Sequence, residues 1–387
     1  MRPLTKAAVS IGLIILILLI ASWFFWLIKP SRSLDVIIVD KSVRDFRYTG
    51  HRSLTWVLNE NKFRHGLNNK YRLSRDYYGF VPLRPRNSGN YMLRRYLLSD
   101  ITDLVSQSDV IYFADMYGVY FNEWYKSQLP RDASSKIIGG INNNDYWLLK
   151  NLYDAKKTLI FENVFFADPT EPLVRYRTEE LVNINPTGWN LKYFSNLDSA
   201  NSQIPRWVIR LYKAANDGQW PFHNAGIIFV KSSGDAVVLE EGKHLSSAMP
   251  FLVTSQEKAG KYHVAESVPF TNWIEVVTAA SKYHSISDFT LKTTTSGENV
   301  LSLHGIPSKF PAILNDSTGR IFYFTGDFAN QKMSYATYLL SGYASLKSKS
   351  LFHRQGNAFL WNFYVPFMTE LFDEVAKQKA ASKTGRQ

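Results

Sequence analysis

Four stretches of the chain resemble apolar strands that end on an acidic residue. LDVIIVD ends at Asp40, IYFAD at Asp115, KTLIFE at Glu162 and RIFYFTGD at Asp327. In an open parallel sheet, ligands bind in the crevice at the carboxyl ends of the strands. We therefore predict that the four acids converge on one rim, where neighbouring carboxylates raise one another's proton affinity. Such a cluster suits general acid–base chemistry or the holding of a cation, and Asp115 and Glu162 form the best pair.

Each acid taken singly also has a structural interpretation. An acid after a strand often caps the next helix, and this role alone would suffice for Asp40 or Asp327. Four such endings together favour a polar pocket. The predicted ligand-binding pocket comprises Asp40, Asp115, Tyr117, Glu162, Asn163, Trp189 and Asp327, and its candidate catalytic residues are Asp115, Glu162 and Asp327.

Aromatic residues are frequent in the middle of the chain, and they have two interpretations. They could form the flat stacking wall of a sugar site, or they could be core rings, since each buries a large apolar area. The residues in question are Trp189, Tyr193, Trp207, Trp220 and Phe222.

Several chemistries are excluded by composition or by missing motifs. The chain has no cysteine, so it has no disulfide, no thiolate nucleophile and no cysteine metal site. It has no HExxH or comparable metal-ligand spacing, and no serine lies in GxSxG. Gly139 and Gly140 form a lone pair without the GxGxxG spacing, which predicts a turn. We predict no metal and no cofactor.

The amino-terminal region has the character of a membrane anchor. Residues 7–28 form an uncharged run that as a helix would span about 33 Å at about 1.5 Å per residue. This matches a hydrocarbon core of about 30 Å. We predict a flank at 1–6, a transmembrane helix at 7–28 and a linker at 29–33. The protein would be a single-pass cell-membrane protein with its soluble domain outside the cytoplasm; a cleaved signal peptide is the alternative.

Basic residues are concentrated directly after the anchor. The whole chain carries a net charge of +12, and residues 41–96 hold thirteen Lys or Arg but only three Asp or Glu. Lipid headgroups or an anionic polymer are reasonable neighbours for such a stretch, and a solvated basic face is the alternative. Nucleic acid is disfavoured, because no recognised binding module is present.

Strand and helix signals alternate from residue 34 onward, which predicts an α/β domain with a doubly wound, mostly parallel sheet. Helices are expected over HRSLTWVLNENKF, over residues 86–108, and from a cap near Asn144. Residues 185–246 are interpreted as peripheral turns, short helices and strands, and a β-rich patch follows. Two apolar helices, at 335–345 and 358–376, end a domain of residues 34–376, and residues 377–387 form a frayed polar tail.

Some segments resemble a known family. KKTLIFENVFFADPTEPLVRYRTEELVNI, TGWNLKYFSNLD, FPAIL and GRIFYFTGDFAN look like the class I glutamine-amidotransferase-like superfamily. The closer resemblance is to a membrane-anchored branch related to trehalose-utilisation-type domains, which lacks the catalytic cysteine. The similarity covers about residues 34–345 and implies a flavodoxin-like sheet.

The resemblance also implies where a nucleophile would stand. True amidotransferases of the superfamily carry a cysteine on a sharp strand-to-helix elbow, with a histidine and a glutamate after a later strand. Here the elbow falls at Glu162, Asn163 and Val164, and the later strand brings Gly326 and Asp327 without a His-x-Glu. Without a cysteine, amidotransfer by that mechanism is excluded, and the fold alone does not supply the activity.

Three functional hypotheses follow. The first is a membrane-anchored, non-catalytic amidotransferase-like binding domain that recognises a glycan or a partner protein in bacterial cell-surface polysaccharide assembly. The second is an enzyme, a carbohydrate hydrolase with two carboxylates as acid and base. The third is a purely structural subunit, which requires a large exposed apolar patch on the helices at 335–345 and 358–376.

Overall fold

The computed structural model describes residues 3–84, 89–125, 134–166, 169–231, 233–349 and 357–384. The outer ends of the expected flank and tail, residues 1–2 and 385–387, lie outside the described residues, as do residues 85–88 of the basic stretch.

The helices are α1 Pro3–Ile28, α2 Thr49–Glu60, α3 Ile101–Gln107, α4 Phe121–Tyr125, α5 Asn143–Asp154, α6 Pro172–Val182, α7 Arg206–Ala215, α8 Gln256–Tyr262, α9 Thr295–Leu303, α10 Tyr343–Ser348 and α11 Val365–Thr384. The strands are β1 Arg32–Ser33, β2 Val36–Asp40, β3 Phe63–Arg64, β4 Tyr78–Pro82, β5 Tyr91–Arg94, β6 Val110–Asp115, β7 Val119–Tyr120, β8 Lys136–Ile138, β9 Thr158–Phe161, β10 Ile184–Phe194, β11 Gly226–Lys231, β12 Ala236–Glu240, β13 Leu245–Thr254, β14 Ser267–Pro269, β15 Ile274–Ala279, β16 Tyr283–Thr293, β17 Lys309–Asp316 and β18 Ile321–Phe324.

The main sheet has ten strands in the order β14-β13-β16-β17-β18-β9-β6-β2-β4-β5. Its centre is parallel, because β18, β9, β6, β2 and β4 pair in parallel. The strands on both sides pair antiparallel. The sheet is therefore mixed rather than mostly parallel, and a flavodoxin-like fold is not confirmed.

The helix predicted over residues 86–108 is replaced at residues 91–94 by a strand, which adds an antiparallel pair to the sheet. The chain there forms β5, which pairs with β4 as an antiparallel neighbour, then a 3₁₀ turn at Leu98–Asp100 and the short α3. Tyr91 stacks on Phe80 across this pair with ring centroids 4.8 Å apart. Cross-strand aromatic packing therefore outweighs the helical spacing of the apolar residues.

The alternation of side chains on the central strands explains why helices cover both faces of the sheet. Successive residues of a strand point to opposite faces. Val36 and Ile38 of β2 pack in the cluster that includes α2 and α11. Ile37 and Val39 pack in the cluster that includes α3, α5 and α6.

A second, four-stranded sheet in the order β12-β11-β10-β15 comes from residues 184–279. It is joined to the end of β18 through the N–H of Glu275, which donates to the carbonyl of Thr325 at 2.7 Å. A bridge between Ile274 and Gly326 reinforces the junction. The residues interpreted as peripheral thus place a sheet against the carboxyl edge of the central strands.

Helix α5 is capped by Asn142, two residues before the predicted cap near Asn144. Asn142 accepts a hydrogen bond from the N–H of Asp145 at 3.0 Å, and the Asp145 carboxylate accepts from the N–H of Asn142 at 2.7 Å. This reciprocal capping box satisfies two donors that the first helical turn leaves free.

Helix α1 is apolar, and the carboxyl-terminal end of this helix contacts the domain. Among the described residues, one stretch, Val9–Ile28, is long and apolar enough to cross a membrane. A signal sequence shares these two properties. Residues 29–33, expected to be a linker, are held in place: Arg32 pairs with Phe63 in a short parallel ladder and forms an ion pair with Asp373 at 2.7 Å.

The carboxyl-terminal helix is longer and more buried than expected. A π-helical turn at Leu360–Tyr364 leads into α11, which continues to Thr384, so much of the expected frayed tail is helical. Lys379 in that part forms ion pairs with Asp35 and Asp109. The large apolar side chains are in the core: Phe359, Leu360, Phe363, Phe367 and Phe372. The exposed apolar patch that the structural-subunit hypothesis requires is absent from this described helix.

Candidate functional site

The four strand-end acids lie on one edge of the sheet. Strands β2, β6, β9 and β18 are neighbours and run parallel, so their carboxyl ends meet on one side. Asp40 and Asp115 are register partners. Glu162 follows the end of β9 directly, and Asp327 follows β18 after a short turn. The structure therefore brings the predicted acids together.

Asp40 is bound to a histidine inside the domain. Its Oδ2 lies 2.6 Å from Nδ1 of His51, and Nε2 of His51 lies 2.9 Å from the carbonyl oxygen of Leu73. A carbonyl oxygen can only accept, so Nε2 of His51 carries a proton. A second proton must lie between Nδ1 of His51 and Oδ2 of Asp40, because neither atom could otherwise donate in their hydrogen bond. The pair ties α2 to the end of β2, and His51 carried no sequence signal of its own.

Glu162 is also inside the protein. Its Oε1 accepts from the Tyr112 hydroxyl and from the N–H of Ala329 at 2.9 Å. Its Oε2 is buried without a hydrogen-bond partner among the described residues. Burial, and then the nearby Asp327 carboxylate, raise the pKa of Glu162 well above its usual range. Glu162 lies beneath the cleft and is not one of its lining residues, so its predicted place in the pocket is wrong.

A cleft of about 640 Å³ opens at this edge of the sheet. Asp115, Asp327 and Glu275 supply its acidic groups, and its basic and aromatic lining residues are Arg44, Arg175, Lys192, Lys231, Tyr117, Phe166, Trp207 and Trp273. A smaller hollow of about 200 Å³ shares Ser42, Arg44, Asp115 and Asn330 with the cleft and extends to Asp40. Because they share these residues, the two hollows are parts of one depression.

Asp115 is the acid common to both hollows. Its Oδ1 accepts from the Ser42 hydroxyl at 2.6 Å and from the N–H of Tyr117 at 2.9 Å. Burial, followed by the charge of Asp40, raises the pKa of Asp115 to about 6. At neutral pH this carboxyl is therefore mostly ionised and can accept hydrogen bonds from a ligand.

Asp327 also has a raised proton affinity. Asn330 donates to its Oδ2 at 2.8 Å. Burial, and then the charge of Asp115, raise the pKa of Asp327 to about 7, although the bond from Asn330 and the Lys192 ammonium act in the opposite direction. Carboxyls that titrate near neutral pH can donate or accept hydrogen bonds, depending on which of them holds a proton.

Glu275 is an acid of the site that the sequence analysis did not single out. It is the second residue of β15, accepts from the Tyr323 hydroxyl at 2.6 Å, and lines the cleft. Burial raises the pKa of Glu275 to about 7, although the bond from Tyr323 acts in the opposite direction. An acid inside an otherwise apolar strand, WIEVV, was the available signal.

Val164 stands at the elbow that the family resemblance implied, and its backbone is strained. Its φ is 60°, a left-handed conformation that is a genuine outlier for a β-branched residue. The chain turns sharply after β9, and Val164 lines the cleft with Asn163 beside it.

The small sheet supplies one wall of the cleft. Asn190 and Lys192 of β10 face it, as alternate residues of a strand do. Trp189, predicted to line the pocket, points to the opposite face and packs in the core with Phe229, with ring centroids 6.5 Å apart. The prediction of Trp189 as a lining residue is therefore wrong: its neighbours Gly188 and Asn190 line the cleft.

Other aromatic residues divide between the cleft and the core. Trp207, Trp273 and Tyr117 line the cleft. Trp220 and Phe222 pack around a separate small core with Tyr212, and Tyr193 packs against the large core cluster. Within the described residues, no group of three or more His, Asp or Glu side chains is placed to hold a metal ion.

Glu275 gives the site a testable pH dependence. The ordinary pKa is 4.5 and the folded value is about 7, so between these values the folded protein keeps a proton that the unfolded chain releases. Stability therefore falls as the pH rises through this window. Glu275→Gln, which cannot ionise, should lose this part of the pH dependence and become more stable than the wild type above about pH 7.

Urea denaturation across that pH range measures the effect. Glu257→Gln, a change at an exposed glutamate of α8, is the matched control and should follow the wild-type profile. If the free energy of unfolding changed with pH in the same way for Glu275→Gln and the wild type, the pKa of Glu275 would be near its ordinary value of 4.5.

Comparisons with known proteins give one distant structural neighbour. A protein from Bacteroides uniformis ATCC 8492 described as ThuA-like overlays with a TM-score of 0.34 at 7% sequence identity, over 87% of this chain and 92% of that one. No family model matches the sequence, and no curated protein matches it. The likeness is distant.

Proposed function

We propose that this chain is a membrane-anchored binding protein whose cleft takes a saccharide. The observation that carries the proposal is the composition of the cleft, which is lined by both carboxyl groups and partly exposed aromatic rings. Sugar hydroxyls both donate and accept hydrogen bonds, and the apolar face of a sugar ring packs on aromatic side chains. Asp115 and Asp327 can meet the hydroxyls, while Trp207 and Trp273 can meet the ring faces.

The elbow supports binding over amidotransferase catalysis. Val164 occupies the strained position where an amidotransferase-like protein would carry its thiol, and the chain has no cysteine elsewhere. A valine side chain has no nucleophilic atom. On this proposal the chain keeps the frame of the class I glutamine-amidotransferase-like superfamily and uses the cleft for recognition.

The setting of the proposal is the bacterial cell surface. Residues 7–28 would span the membrane as a single pass, with the soluble domain outside the cytoplasm and the ligand a component of surface-polysaccharide assembly. The apolar length of α1 supports this setting.

A second candidate function, carbohydrate hydrolysis, is favoured by one observation. Asp115 and Asp327 line the same cleft, and burial together with neighbouring acidic charge raises the pKa of both, to about 6 and about 7, where a carboxyl can act as an acid or as a base near neutral pH. Glycosidases need such a pair, with carboxyls about 5–5.5 Å or about 6.5–9.5 Å apart. Release of reducing sugar that Asp327→Asn abolishes would favour the enzyme, and bound oligosaccharide recovered intact would favour the binding protein.

An array of immobilised bacterial surface oligosaccharides, probed with the full chain in detergent, tests the proposal. Trp207→Ala should weaken retention of the bound saccharide by roughly 30-fold, since losing a central aromatic contact costs about 2 kcal/mol. Trp147→Ala is the matched control, because Trp147 on α5 is 45% exposed and Trp207 is 48% exposed. A wild-type chain that retains no saccharide, or a Trp207→Ala variant that binds like the wild type, would overturn the proposal.

A further inference from the structure

The last turns of α1 are packed against the domain by a reciprocal backbone and side-chain contact. The Ser22 hydroxyl donates to the carbonyl of Ser341 at 2.8 Å, and the N–H of Ser341 donates to the carbonyl of Ser22 at 3.2 Å. One turn further, Trp26 is only 8% exposed and stands edge-on to Tyr338 at 5.6 Å. The segment that contains Ser341 and Tyr338 therefore lies beside the apolar helix.

The joint between helix and domain is fixed by polar contacts as well. Nε1 of Trp26 donates to the carbonyl of Asn59 at 3.3 Å. The Lys62 ammonium lies 4.0 Å from the centre of the Trp26 ring and donates to the carbonyl of Leu27 at 3.3 Å. Contacts on several sides of one turn hold the helix at a set angle, so the domain cannot swing freely on it.

The position of Ser22 along α1 determines how deep the neighbouring segment would lie relative to the hydrocarbon core. Ser22 precedes Ile28, the last residue of the apolar run, by about 9 Å along the helix axis at about 1.5 Å per residue. If the run spans a hydrocarbon core of about 30 Å, Ser22 lies near or below the boundary of that core. Ser341, in contact with it, must then reach the lipid interface.

The exposed side chains of residues 339–349 are of the types that are found at a lipid interface. Leu346 of α10 is 70% exposed, and Leu339, Leu340 and Tyr343 are partly exposed. Lys347 and Lys349 follow. Apolar side chains beside lysines are typical of segments that lie in the boundary between headgroups and acyl chains, where lysine ammonium groups also meet anionic headgroups.

We propose that residues 335–349 form a second membrane contact, in which Leu346 enters the lipid interface beside the transmembrane helix. The partner is a phospholipid bilayer with anionic headgroups. The inference rests on the proposed insertion of α1 and adds a fixed orientation: the layer that holds α2 and α11 faces the membrane, and the layer that holds α6 does not.

Single cysteines test this in a chain that has no natural cysteine. Leu346→Cys, Leu173→Cys and Leu16→Cys are each labelled with an environment-sensitive fluorophore in the full chain. The chain is then placed in nanodiscs of phosphatidylcholine and phosphatidylglycerol. Leu173 begins α6 and is 60% exposed on the opposite layer, and Leu16 is 52% exposed within the apolar run. All three are exposed leucines, so the substitutions should leave the fold intact.

Quenching by doxyl-labelled lipid and by aqueous iodide distinguishes the outcomes. We expect lipid to quench Cys labels at positions 16 and 346 and iodide to quench the label at 173. Iodide quenching at 346 equal to that at 173, with lipid quenching retained at 16, would overturn the membrane contact and leave the anchor in place. Iodide quenching at all three positions would overturn the anchor itself.

Discussion

Replacing Lys41 by Met should lower the free energy of unfolding by about 3–5 kcal/mol, because it leaves a buried carboxylate without its counter-charge. The Lys41 ammonium lies 2.5 Å from Oδ2 of Asp145 and 2.7 Å from the carbonyl oxygen of Gly140. Both charged side chains are almost completely buried. The Tyr96 hydroxyl, which donates to the other oxygen of Asp145, cannot replace a cation.

Lys150→Met is the matched control for this prediction. Lys150 forms an ion pair at 2.6 Å with Asp154 on the same helix, α5, but at the surface. Exposed pairs of this kind contribute little, because water screens them and two flexible side chains must be ordered. Denaturation with urea should show a large loss for Lys41→Met and almost none for Lys150→Met. Similar losses for both variants would contradict the structural role assigned to Lys41.

Replacing Asp40 by Ala should also cost about 3–5 kcal/mol of unfolding free energy, since it leaves the His51 imidazole buried without its partner. The same change should lower the pKa of Asp115, because the charge of Asp40 is one of the causes that raise it. Asp40 thus has two measurable effects, one on the fold and one on the site.

Urea denaturation measures the first effect, with Asp45→Ala as the control. Asp45 lies in the loop after β2 and pairs with Arg47 at the surface, so its removal should cost no more than about 1 kcal/mol. If Asp40→Ala proved as mild as Asp45→Ala, the buried contact with His51 would not be a main support of α2.

The convergence of the acids could be predicted from the sequence because it depends on two local features. An apolar run that ends in a carboxylate shows where a strand stops, and neighbouring parallel strands end on the same edge. What the pattern could not decide is which carboxyl faces the cleft. Glu162 lies behind the site with Tyr112, whereas Glu275 comes from the second sheet and reaches the cleft only through tertiary packing.

The errors at Trp189 and at β5 have different causes, and the first is the phase of a strand. Side-chain direction in a strand changes with every residue, so a shift of one position moves a side chain to the other face. The pattern NPTGWNLKYF shows the alternation but not which face is buried. Residues 91–94 fit a helical spacing as well as a strand, and the stacking of Tyr91 on Phe80 decides between them.

The strained elbow lay beyond sequence reasoning from single residues. Nothing in the residue type Val predicts a positive φ, so the conformation of Val164 could be found only in the structure. The family resemblance implied an elbow near this residue, and that assignment stays a prediction.

The titration of Asp115 tests most directly the claim that the strand-end acids share one hollow. Carbon-13 NMR of the aspartate carboxyls, with Asp115 assigned by difference from Asp115→Asn, gives its midpoint in the wild type, in Asp40→Asn and in Asp327→Asn. We expect a wild-type midpoint near 6 that falls in Asp40→Asn, because the charge of Asp40 is one cause of the raised pKa of Asp115, and Asp327→Asn serves as the comparison variant. A midpoint near the ordinary value of 3.8 that Asp40→Asn does not move would contradict the claim.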